Sequence, residues 1–196
     1  MNNKIANIIV DYIDELEWVD KIAGLTQVAK VSIEGVEKRF PVSCQLSYAD
    51  ACRAGCYDEL MPNSKYRSVV FFEDAGFVFV RQEGNKLYYE SRLRLVAWLN
   101  YKLLTEGGCG SSGDYIISII KALPTMPVNI GDLLRFTTLV TSQAVRTSDV
   151  FDKYTFDEKR SQYLMTPFDF FALDIRTNFF IINECIEPAP GGCTEC

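Results

Sequence analysis

Leu87-Tyr88-Tyr89-Glu90-Ser91-Arg92-Leu93-Arg94-Leu95-Val96-Ala97-Trp98-Leu99 is the stretch on which the fold turns. Leu87, Tyr89, Ser91, Leu93, Leu95, Ala97 and Leu99 share one side of an extended backbone, and the residues between them share the other. A period of two marks a β-strand, because successive side chains point to opposite faces. Thirteen such residues make a strand roughly 43 Å long at about 3.3 Å per residue. A globule of 196 residues is only about 40 Å across, so this strand crosses the whole fold or leaves it. The competing reading ends the strand near Val96 and continues it as a helix.

Upstream, Arg67 to Glu73 is β-branched and aromatic, Asp74-Ala75-Gly76 reads as a turn, and Phe77 to Arg81 leads to a second turn at Gly84-Asn85. Together these make a meander. Thr26 to Ile33 and Val36 to Leu46 read as a hairpin about Glu34-Gly35, with Pro41 placing an edge or an unpaired stretch in its second strand. Residues 47–65 read as an irregular loop. At the start of the chain, Ile5, Ile8, Ile9, Tyr12, Ile13 and Leu16 form one helical stripe, predicting a helix to about Val19 that stops before Gly24. Downstream, Gly107 to Gly113 has the composition of a flexible loop. A helix follows with Asp114 as its cap and Pro124 as its stop. Leu133 to Val145 and Phe168 to Ile182 read as strands, and residues 147–167 between them as an extended loop or arm. The expected fold is α+β: a mostly antiparallel sheet of about six or seven strands, an N-terminal and a central helix, and long loops or arms. It forms one domain over residues 1–186, followed by a flexible tail at 187–196.

Composition excludes several classes. The chain is 48% hydrophobic and 23% charged, which is globular rather than disordered. With 12 Gly and 7 Pro it is neither collagen-like nor low-complexity. The charge of −6 disfavours a nucleic-acid binder, whose affinity comes mostly from neutralising phosphates. Asp11, Asp14 and Glu15 interrupt the first apolar run, so no signal peptide is read there. No stretch approaches the roughly 20 apolar residues of a membrane span. Seven cysteines, Cys44, Cys52, Cys56, Cys109, Cys185, Cys193 and Cys196, are expected as reduced thiols, with Cys44 and Cys185 as small buried hydrophobes.

The chain has no histidine. That removes Ser-His-Asp triads, Cys-His pairs and histidine metal sites, and with them the ordinary general base near neutral pH. Gly108 to Gly113 has the spacing of a phosphate-binding loop, but Asp114-Tyr115 stand where Lys and Ser/Thr are needed, and a carboxylate there repels phosphate. Cys52 and Cys56 with Cys193 and Cys196 have four-thiolate zinc spacing, yet the second pair ends a Pro/Gly tail, so no metal is expected. No catalytic or cofactor-binding residue is expected either. Asp11, Asp14, Glu15, Glu17 and Asp20 read as a solvated helix face, and the mixed block Asp157 to Arg160 as a solvated helix face or turn. Arg92 and Arg94 are expected to pair across strands with carboxylates such as Glu83 and Glu90. Phe71, Phe79 and Phe171 are expected in the core. Tyr154, Phe156 and Tyr163 lie in a polar segment and are the aromatic candidates for a subunit interface, together with the loop glycines Gly107, Gly108, Gly110 and Gly113.

The order of segments is similar to a known family. An amphipathic first helix and a cysteine-containing loop lead into Asp58-Glu59-Leu60-Met61-Pro62-Asn63-Ser64-Lys65-Tyr66 and then Val69-Val70-Phe71-Phe72-Glu73-Asp74. Tyr89-Glu90-Ser91, Arg94-Leu95-Val96-Ala97-Trp98-Leu99-Asn100 and Asp174-Ile175-Arg176-Thr177-Asn178-Phe179 follow. Over most of residues 1–186 this resembles the ring or head–tail connector proteins in the neck of crAss-like tailed phages of Bacteroidales. The resemblance implies a structural subunit of a symmetric ring between portal and tail. Its partners would be copies of itself, the portal and other neck or tail proteins, with genomic DNA passing through without specific binding and no membrane. It would reside in the virion neck, and in the host cytoplasm during assembly. The family's motifs carry no enzymatic residues to transfer. The alternative is a non-enzymatic binding or interaction domain; an enzyme using carboxylate or tyrosine chemistry ranks third.

Overall fold

The computed structural model describes residues 2–33, 35–44, 57–123, 134–156 and 161–182. They run α1 (Asn2–Ile13), β1 (Lys21–Leu25), β2 (Gln27–Ile33), β3 (Val36–Cys44), β4 (Tyr57–Glu59), β5 (Ser68–Glu83), β6 (Lys86–Asn100), α2 (Tyr101–Leu104), α3 (Ser112–Ala122), β7 (Leu134–Val145) and β8 (Phe168–Ile182). The alternating stretch stays extended to its end. The fifteen residues of β6 pair antiparallel with β5 on one side and, without a register break, with β8 on the other. The backbone turns helical only at Tyr101.

The class is α+β and the pairing mostly antiparallel. The described strands form a five-stranded sheet in the order β1-β5-β6-β8-β7 and a three-stranded sheet, β2-β3-β4. Only β1 runs parallel to its neighbour. The tight β2–β3 hairpin is closed by the pair Ile33 and Val36. Pro41 is tolerated in the middle strand because its lone carbonyl accepts from Leu60 N where β4 has ended, so no N–H is missed there.

β6 is the spine of two cores. Its first set of residues, Leu93, Leu95, Ala97 and Leu99, joins Val70, Phe72, Phe171, Leu173 and Ile175 under α1 and α3. Helix α1 lays down Ile5, Ile9 and Ile13, all fully buried, and α3 adds Ile116 and Ile119. Val96 and Trp98 point to the other face, where Val69, Phe71, Phe170 and Ala172 meet Leu60, Met61, Val150, Phe151 and Tyr154.

The first helix is shorter than its stripe. It ends at Ile13, and Lys21–Leu25, Gly24 included, is a strand. The reason is β5: Ser68 Oγ donates to Trp18 O at 2.9 Å and accepts from Asp20 N at 3.0 Å, committing that backbone to the sheet. Asp74-Ala75-Gly76 is a bulge rather than a turn, since β5 continues through it with one extra residue between the pairs Asp74–Leu93 and Phe77–Ser91. Gly76 holds φ at +114°, a conformation open to glycine, while Asp74 Oδ1 accepts from Gly76 N at 2.8 Å and from Asn2 Nδ2 at 2.6 Å.

Residues 147–156 are not an extended arm. They fold back as the lid of the second core, with Phe151 5.3 Å from Phe170 and Tyr154 edge-on to Phe71 at 5.9 Å between ring centres. The small sheet holds them there: Thr155 N donates to Arg39 O, and Arg39 N to Thr155 Oγ1. Asp157 to Arg160, Cys52, Cys56, Cys185, Cys193, Cys196 and the tail at 187–196 lie outside the described residues. Of Cys44 only the backbone, at the end of β3, is described. No described helix is long and apolar enough to cross a membrane.

Two buried carboxylates tie the layers. Glu73 accepts from Tyr154 OH at 2.6 Å and Lys153 Nζ at 2.5 Å. Asp169 accepts from Tyr101 OH at 2.7 Å, Arg146 Nε at 2.6 Å and Phe170 N at 2.9 Å. Burial pushes both phenols well above their ordinary range, and the carboxylate each one bonds pushes it further. The native state therefore holds these protons more tightly than the unfolded chain. Their contribution to stability is complete below the ordinary tyrosine pKa of about 10 and is lost as pH rises above it. In urea unfolding between about pH 9 and about pH 11, the midpoint of a Tyr101→Phe/Tyr154→Phe variant should fall less than that of the wild type.

Candidate interaction surface

The bulge divides the β5–β6 hairpin into a covered root and a bare arm. Ser68 to Glu73 is buried throughout, and every residue from Asp74 to Glu83 is exposed. Helix length explains the boundary. The twelve residues of α1 span about 18 Å, whereas the sixteen of β5 span about 50 Å. The helix reaches as far as Asn2, which donates to Asp74 Oδ1 and Gly76 O and accepts from Ser91 Oγ at 2.6 Å. Beyond that clamp no described helix lies on the sheet. Strand β1 pairs with β5 only as far as Phe72, so the outer edge of the arm has no strand partner among the described residues.

The arm is apolar on successive positions: Phe77 is 42% exposed, Val78 39%, Phe79 52% and Val80 53%. On one face Tyr89 stacks on Phe77 at 4.9 Å and on Phe179 at 5.8 Å, with Phe79 edge-on at 5.5 Å. Elsewhere on the arm Tyr88 lies 5.4 Å from Phe180, with Arg81 over Tyr88 and Lys86 over Phe180. Exposed apolar side chains grouped in this way make the arm a candidate contact surface. The two bulges and the charges at the tip, Arg81 and Glu83 among them, are the devices that keep such an edge from pairing indiscriminately.

The interface residues expected from the sequence lie elsewhere. Gly107 and Gly108 adopt φ of 92° and 68°, and a Cβ on Gly110 would stand 2.6 Å from ring atoms of Tyr101. The glycines therefore build a fitted turn at the opposite end of β6, where a flexible linker was expected. Thr105 Oγ1 donates to Cys109 O across that turn. The cap of α3 is Ser111, which accepts from Gly113 N; Asp114 sits in the first turn. Tyr154, expected at the surface, is 7% exposed because its ring fills the second core and its hydroxyl bonds Glu73. Phe156 and Tyr163 are half-buried, packed against Phe151 at 5.3 Å and Phe168 at 5.3 Å, and Tyr163 O accepts from Trp98 Nε1. Phe79, expected in the core, is on the arm, whereas Phe71 and Phe171 are core residues as expected.

The charged residues are paired, though not in the expected pattern. Arg92 bonds Glu90 on its own strand at 2.5 Å, Arg94 reaches Asp149 at 3.2 Å, and Glu83 pairs with Arg81. Asp11, Asp14, Glu15, Glu17 and Asp20 are exposed, as a solvated face requires. Among the described residues no cluster of carboxylates and thiols is placed to hold a metal ion. The sequence signal for the arm is the run Phe77-Val78-Phe79-Val80, which is apolar on both faces of a strand, while only two helices of any length stand among the described residues to cover it. No protein-family model matches this chain, and no curated protein matches it.

The exposure difference is measurable as stability. Phe79→Ser should change the unfolding free energy by less than about 1 kcal/mol, while Phe71→Ser should cost about 3–5 kcal/mol, both read from urea denaturation.

Proposed function

We propose that this chain is a structural subunit that assembles with copies of itself into a ring, of the kind that crAss-like phages place in the neck between portal and tail. The observation that carries the reading is the arm. Nearly half of the longest hairpin leaves aromatic and β-branched side chains uncovered, and burying apolar area is the main driving force of association. Head-to-tail contacts between copies generate rings when their rotation closes.

The charge supports the same reading. A formal charge of −6 suits a wall past which DNA moves, because a basic lining would hold phosphates by counterion release. Under this proposal the chain is not an enzyme and needs no cofactor. Its partners are itself, the portal and neighbouring neck or tail proteins, and its place is the virion neck after assembly in the host cytoplasm.

Light scattering behind a sizing column, with the chain alone and mixed with portal or neck proteins, tests this. A discrete closed oligomer, formed alone or with such a partner, is expected. A monomer in every mixture contradicts the proposal.

A further inference from the structure

We infer that the arm of one copy seats on the far end of the next copy, in the cleft between the end of α1, α2 and the start of α3. This deepens the ring-subunit reading and rests on it.

Three observations lead there. The first is the charge of the two ends. The arm, residues 74–92 with 175–182, carries Arg81, Lys86, Arg92 and Arg176 against Asp74, Glu83 and Glu90, a small positive balance. The segment 11–21 at the end of α1 carries Asp11, Asp14, Glu15, Glu17 and Asp20 against Lys21. The neighbouring loops, with Lys65, Arg67 and Lys102 against Glu106 and Asp114, leave that end acidic. A chain of net charge −6 thus presents a slightly cationic projection and an acidic receiving end, which is electrostatic complementarity between copies.

The second is shape. The acidic end holds a cleft of about 410 Å³ lined by Trp18, Leu103, Leu104 and Tyr115, with Glu17 and Arg67 at its sides. Leu103 is 49% exposed there. Such a cleft falls in the range of about 300–1,000 Å³ typical of pockets that take bulky apolar groups. The arm presents half-buried Tyr88 with Arg81 and Lys86 on one face and exposed Phe79 on the other.

The third is distance. Helix α1 starts at the root of the arm, where Asn2 bonds Gly76, and its end lies beside Ser68, where Trp18 O accepts from Ser68 Oγ. The arm tip is fifteen residues along β5 from Ser68, roughly 45 Å after allowing for two bulges. A paired strand is stiff, so the tip cannot reach its own cleft, and a second copy must supply the occupant. The contact joins two different surfaces, and is therefore heterologous and repeats from copy to copy.

Charge reversal tests the pairing. Arg81→Glu/Lys86→Glu should weaken self-association at least about tenfold by sedimentation equilibrium, and Asp14→Lys/Glu15→Lys/Glu17→Lys should do the same. All five changes in one chain should restore most of it, since both surfaces are then reversed. These positions are exposed, and circular dichroism checks that each variant folds. On the unmodified chain, zero-length amine–carboxyl cross-linking of the oligomer should join Lys86 to Glu15 or Glu17 of another copy. An oligomer indifferent to either reversal, a five-fold variant that stays dispersed, or an oligomer without those cross-links overturns this contact and leaves the ring reading standing. A wild-type chain that never assembles, alone or with neck partners, overturns both.

Discussion

A fifteen-residue strand hydrogen-bonded on both edges has two faces to satisfy along its whole length, and the described elements cover only part of them. The rest of the structure follows from that shortage. From Leu93 to Leu99 one face of β6 lies under α1 and α3, while Val96 and Trp98 on the other are sealed by Leu60, Met61 and the segment that carries Phe151 and Tyr154. From Lys86 to Glu90 neither face is sealed to the same depth. The long hairpin thus belongs at one end to a domain core and at the other to whatever meets it.

Hydrogen-bonded polar groups, some of them buried, mark where each layer stops. Asn2, Asp74, Gly76 and Ser91 close the helical layer at the bulge. Glu73, with Lys153 and Tyr154, closes the second core one residue earlier along β5. Asp169 holds Tyr101 and Arg146 at the other end, where β6 gives way to α2. A buried carboxylate is costly unless each oxygen is satisfied, so these clusters fix register more than they add stability. The helical layer thus ends at the bulge, where Asn2 meets Asp74, Gly76 and Ser91.

Much of the fold was legible from periodicity. The alternation of residues 87–99 and the stripe from Ile5 to Ile13 identified the spine and its first cover, because both patterns are local. What was not legible depends on distant partners. Lys21–Leu25 became a strand because Ser68 holds Trp18 and Asp20, some fifty residues away in sequence. Asp74-Ala75-Gly76 has turn composition, yet it is a bulge because β6 continues past it and Asn2 reaches in. The segment 147–156 is polar enough to read as a loop, and only the open second face of the sheet turned Phe151 and Tyr154 inward. At the surface two aromatics run against their segments. Tyr154 sits among polar neighbours yet is buried, while Phe79 sits in a strand yet is exposed. Segment composition is local, whereas exposure is decided by what lies on top.

The central claim is that the arm is a surface awaiting a second copy rather than a frayed edge of the domain. Hydrogen exchange read by mass spectrometry, on dispersed and assembled chain, tests it most directly. The account predicts that amides of Phe77–Glu83 exchange faster than those of Leu93–Leu99 in the dispersed chain and become strongly protected on assembly. Assembly that leaves the arm's exchange unchanged, while another segment becomes protected, would contradict it.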